Sequence, residues 1–171
     1  MRMHVNARKI AYLGILLALA VLLVYGGTVI EINTLFFICA ASFCLGIAIT
    51  ECGRRLGAGF FIACTLLTFI LLPNKMYGLT LTVINFYVLV SECLKDRIPK
   101  GFLLAKFVLF NIVYIPAFIF APELIYTGKM NDRFFILGIL AGQIAFYIYD
   151  RVYRSIIYGY WPAIRRRIMR D

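Results

Sequence analysis

Residues 6–27 read NARKIAYLGILLALAVLLVYGG, and no charged side chain interrupts the run from Ile10 to Val24. About 20 helical residues at about 1.5 Å each cross a hydrocarbon layer of about 30 Å, so the stretch reads as a membrane-spanning helix. Its small residues, Ala7, Ala11, Gly14 and Ala18, recur at spacings of four, three and four. On a helix that spacing lines up one narrow face that lets a second backbone come close. Arg2, Arg8 and Lys9 also suit the basic start of a signal peptide, but the apolar run is long for one. No A-x-A-type cleavage site follows it, and further apolar runs lie behind. The first helix is therefore expected to stay as an anchor.

The rest of the chain has the same character. Of its 171 residues, 63% are hydrophobic and only 15% charged, and the mean hydropathy is +0.90. That composition excludes an ordinary soluble domain. Apolar runs bounded by polar, proline or glycine residues predict an all-α, polytopic membrane protein. It is read as a single integral membrane domain over 1–171, with six spans at about 10–29, 34–51, 57–72, 77–94, 102–121 and 134–158. Pro73 is expected to end the third span, because proline cannot continue the backbone ladder. No repeat or low-complexity segment appears. The longest outer connection, Pro122 to Arg133, is polar and suits either a cover or a plain linker.

The formal net charge of +10 would suggest nucleic acid in a soluble protein; here its distribution carries the information. With six spans both termini share a side. Placing that side in the cytoplasm collects Arg2, Arg8, Lys9, Arg54, Arg55, Lys95, Arg97, Lys100, Arg151, Arg154, Arg165, Arg166, Arg167 and Arg170 inside. Only Lys75, Lys129 and Arg133 then lie outside, as the positive-inside rule requires. The basic tail is first a topology signal and second a contact for anionic lipid, with no nucleic-acid partner expected. Lys106, about one turn inside the fifth span, is expected to snorkel to the cytoplasmic surface.

Polar residues in the middle of spans point to function, because hydrocarbon penalises them unless they find partners. In the predicted topology Asn85, Asn111 and Gln143 share the depth of the midplane. Thr80, Thr82 and Tyr114 lie outward of them, and Asn74, Lys75, Tyr77, Glu31 and Asn33 lie near the outer mouth. Together they outline a cavity open to the outside; the competing explanation is that the amides join helices to one another. Glu51, Glu92 and Asp150 each have a nearby Arg or Lys and read as ion-paired. No midplane carboxylate, phosphate loop or nucleophile–base arrangement supports catalysis. The single histidine, His4, and the cysteines Cys39, Cys44, Cys52, Cys64 and Cys93 suggest packing rather than a metal site, a cofactor or a disulfide framework.

Six spans, cytoplasmic termini, a basic inner face and the AxxxA motif Ala7-Arg8-Lys9-Ile10-Ala11, with the tail YIYDRVYRSIIYGYWPAIRRRI, resemble the substrate-binding S component of energy-coupling factor transporters. The resemblance covers the whole chain in layout. It implies a bacterial plasma-membrane protein that captures a vitamin or similar micronutrient with high affinity from outside. The pocket would lie among the later helices and the first outer loop, here 26–33. The small face would dock on a transmembrane coupling subunit driven by two ATPase subunits, so the chain itself would not be an enzyme. The histidine pattern of cobalt and nickel members is absent. With Trp161 on the inner side, ring stacking on a ligand would fall to Tyr25, Tyr77, Tyr114 or Tyr126. The main rival is an assembly subunit that binds other membrane helices and no small molecule. A channel would need a polar path through the mostly apolar inner halves of the spans.

Overall fold

The computed structural model describes residues 2–30, 33–95, 102–120 and 132–168. All its regular structure is helical: α1 (Arg2–Ile30), α2 (Thr34–Cys52), α3 (Arg54–Leu71), α4 (Lys75–Leu94), α5 (Phe102–Phe120), α6 (Asp132–Arg154), a π-helical stretch (Ser155–Tyr160) and α7 (Trp161–Ile168). Among the described residues four stretches are long and apolar enough to cross a membrane: Ala7–Ile30, Thr34–Cys52, Arg54–Leu71 and Lys75–Leu94. A shorter apolar stretch, Leu104–Pro116, lies in α5. The helices group into two compact units, Met1–Arg97 and Ile98–Asp171.

In the first unit α2 is the central helix, packed against α1, α3 and α4. Its buried side includes Ile38, Ala41, Cys44, Leu45 and Ala48. Small residues let these helices approach. A methyl at Gly57 would overlap Ile49 across the α2–α3 crossing, and one at Gly27 would come within 2.9 Å of Phe37 Cβ on α2. The connections follow from local backbone preferences. Gly53 stands at φ 91°, ψ 165° between α2 and α3, a conformation essentially reserved for glycine. Leu72 is extended (φ −78°, ψ 130°) because the ring of the following Pro73 disfavours helical backbone before it. That residue ends α3 as the sequence predicts.

The second unit contains α5, α6, the π-helical stretch and α7. Antiparallel contacts join α5 to α6 in a numerical series. Lys106 meets Asp150, Phe107 and Phe110 meet Phe146, Asn111 meets Gln143, and Tyr114 meets Gly138. Pro116 lies inside α5, where it removes one backbone donor. The π-helical turn before Pro162 has a similar origin. In a regular α-helix the Pro162 ring would collide with the carbonyl of Tyr158; here the turn widens, and Trp161 N–H donates to the Ile156 carbonyl, five residues back.

Candidate functional site

Along α1 the buried and exposed sides separate cleanly. Leu16, Ala20, Val21 and Val24 are buried, whereas Ala7, Ala11, Gly14 and Ala18 are all exposed. A methyl added at Gly14 would meet nothing within 4 Å. The narrow face is thus not consumed by packing among the described helices of the first unit. Large apolar neighbours flank it, with Ile10 and Ile15 more than 60% exposed.

Where α3 turns into α4, an open cleft of about 610 Å³ is lined by Thr28, Pro73, Asn74, Lys75, Met76 and Tyr77. Asn74 caps α4 by accepting from Met76 N–H at 3.0 Å, which leaves other amides of the first turn directed outward. The Lys75 ammonium donates to the Phe69 and Leu72 carbonyls at 2.5 and 2.9 Å, covering the carboxyl end of α3. An ammonium carries three donors, and among the described residues the third has no partner. Three of the residues expected at the mouth, Asn74, Lys75 and Tyr77, therefore share this cleft with Thr28. Asn33 is exposed, in the left-handed conformation (φ 58°) that asparagine tolerates. Glu31 and Tyr126 lie outside the described residues, as does nearly all of the connection from Pro122 to Arg133.

The deeper polar residues form internal bonds. Asn85 belongs to the first unit and is 1% exposed. Its amide lies 3.9 Å from Cys64 Sγ, and its Oδ1 has no partner among the described residues. Thr82 donates to the Gly78 carbonyl at 2.8 Å and lies 3.5 Å from Thr65 Oγ1; Thr80 donates to the Met76 carbonyl at 2.9 Å. In the second unit Gln143 donates to Asn111 Oδ1 at 2.6 Å, and Asn111 donates to the Phe107 carbonyl at 2.8 Å. The Tyr114 hydroxyl donates to the Gly138 carbonyl at 2.9 Å. Its ring fills the space that a side chain at Gly142 would need.

Lys106 corrects the sequence reading. Its side chain does not snorkel: it is buried, with Nζ 2.5 Å from Asp150 Oδ1. Arg154 holds the other Asp150 oxygen at 2.9 Å. The expected Asp150–Arg154 pair is present, but the partner on α5 was missed. A lone lysine in one apolar run and a lone aspartate in another was the available signal. Among the described residues no three His, Cys, Asp or Glu side chains gather to hold a metal, and the cysteines are free. No family model, curated protein or solved structure matches the chain.

Proposed function

We propose that this chain is the substrate-binding subunit of an uptake system of the energy-coupling factor kind, spanning the membrane six times with both termini in the cytoplasm. The observation that carries this reading is the uncovered small face of α1. In lipid, close backbone approach is a main source of helix association, and a face that the helices of the first unit leave unused suits a separate transmembrane partner. That partner would be a coupling subunit energised by two ATPase subunits, engaging α1 from Ala7 to Ala18. The micronutrient would enter at the outer cleft, where Thr28, Lys75 and Tyr77 offer a hydroxyl, a cation and a ring. The inward residues Thr82 and Asn85 belong to the same unit. Glu31, which lies outside the described residues, keeps a place in this reading as a further ligand contact; Asn111, Tyr114 and Gln143 belong to the second unit, where each already makes a hydrogen bond.

One observation favours a second reading, an assembly subunit without a small-molecule ligand: Asn111 and Gln143 are already joined by a hydrogen bond. Two measurements separate the readings. Mass spectrometry of small molecules co-purifying in mild detergent should find a vitamin-like compound; an empty protein that still captures other membrane helices would replace the uptake reading with assembly. Ala7→Trp or Ala11→Trp should abolish cellular uptake of that compound while the purified chain still binds it. Unimpaired uptake would remove α1 as the docking face.

A further inference from the structure

Where α3 and α4 pack within the first unit, the side chains between them form successive rungs. Nearest the cleft at Pro73 to Tyr77, Thr68 faces Gly78, where an added methyl would lie 3.8 Å from the threonine hydroxyl. One turn further along α4 the hydroxyls of Thr65 and Thr82 stand 3.5 Å apart. The next rung pairs Asn85 Nδ2 with Cys64 Sγ at 3.9 Å. A polar seam therefore leads from the cleft to Asn85, midway along α4, between two helices that are otherwise apolar enough to cross a membrane.

Polar groups at such depth are costly unless matched, and here the matching is incomplete. The Thr82 hydroxyl spends its one proton on the Gly78 carbonyl at 2.8 Å, so toward Thr65 it offers lone pairs. The Asn85 nitrogen has only a sulfur, a weak acceptor, and the Asn85 oxygen, enclosed in a residue 1% exposed, has no donor among the described residues. Surplus acceptors along one seam call for a positive partner. The donors are neutral, hard oxygens, which suit alkali and alkaline-earth ions rather than soft metals. A divalent ion takes carboxylates, and the only acidic residue of α3 or α4 is Glu92, two turns past Asn85. An ion meeting both threonine oxygens at a right angle would stand about 2.5 Å from each, the bond length of an ion of calcium's size. Sodium is the monovalent ion of that size.

We propose that Thr65 Oγ1, Thr82 Oγ1 and Asn85 Oδ1 hold one sodium ion between α3 and α4. The ion gives the buried Asn85 oxygen its partner and ties the two helices together across the seam. A trapped water would answer Asn85 equally well, but only an ion site makes stability depend on which cation is present.

The test uses the purified full chain in mild detergent, with radioactive sodium for equilibrium binding and thermal unfolding in sodium, potassium or choline chloride at equal ionic strength. The wild-type chain should bind one sodium ion, and sodium alone should raise its unfolding temperature, because a ligand of the folded state stabilises it. Losing one oxygen bonded to a charge lowers affinity by about tenfold or more. Asn85→Leu, Thr82→Val and Thr65→Val should each show that loss, together with a smaller sodium shift. Thr50→Val, whose hydroxyl only bonds the Gly46 carbonyl on α2, should behave as wild type. In choline chloride Asn85→Leu should unfold no earlier than wild type, which separates loss of the site from loss of the fold. A wild-type chain that binds no sodium and unfolds alike in all three salts would overturn the proposal and leave water as the partner of Asn85. Equal shifts in sodium and potassium would overturn it as a general salt effect, and a sodium shift that survives all three seam variants would overturn it by placing the ion elsewhere. Sodium binding by a chain that carries no small molecule would support the site and remove the uptake reading.

Discussion

The two units hold their helices together by different means. In the first, backbones approach through small residues: Gly57 lies against Ile49 and Gly27 against Phe37, around an α2 side of Ala41, Ala48 and Leu45. In the second, long side chains reach from α5 to α6: a lysine to an aspartate, an asparagine to a glutamine, a tyrosine to a backbone carbonyl. Where helices lie in lipid the hydrophobic effect no longer acts between them, leaving close packing and hydrogen bonding. Each unit relies chiefly on one of the two. The contrast also separates the amides. Asn111 and Gln143 share a hydrogen bond, whereas the buried Asn85 amide has only the Cys64 sulfur and its oxygen is unmatched among the described residues.

The sharpest way to break this contrast is Asp150→Ala, which leaves Lys106 buried without its carboxylate. Removing one member of a buried pair costs about 3–5 kcal/mol, and detergent thermal unfolding should report the loss. Lys106→Met combined with Asp150→Leu should recover most of it; a double variant as weak as the single one would show that the charges do more than pair. Next in size is Gly57→Val, which forces a side chain against Ile49 and should cost about 1–3 kcal/mol. Gly14→Val, on the uncovered face of α1, should leave the unfolding temperature in place. Equal losses at the two glycines would erase the distinction between used and unused faces. The smallest effects concern the amides. Gln143→Leu should destabilise by about 1 kcal/mol or less, while Asn85→Leu should be neutral or stabilising because it removes an unmatched oxygen. A larger loss at position 85 than at 143 would reverse the assignment.

The helical layout was readable because each element carries a local signal. Apolar runs set the lengths, Pro73 stops α3, and Gly53 supplies the turn before it. The spacing of Ala7, Ala11, Gly14 and Ala18 was equally plain in the sequence. Whether that face would be covered depends on which sides of α1 the neighbouring helices occupy, and spacing along one helix does not contain that. The same reason hid Lys106. Its partner is 44 positions away and comes within reach only through the antiparallel register of α5 and α6, so a rule based on distance from the helix end assigned it to the surface. Asn111 and Gln143 were recognised as unusual, and their depth was inferred from topology. Their mutual bond follows from the register that also joins Lys106 to Asp150.

The Tyr114 ring lies on the α6 backbone in the space a side chain at Gly142 would take. The two positions are therefore not free to vary independently. A larger residue at 142 is admissible only with a smaller one at 114, and a smaller residue at 114 alone opens a void beside a bare stretch of α6. In a set of diverged relatives these positions should change as a pair, giving a record of the α5–α6 register that can be read from sequences alone.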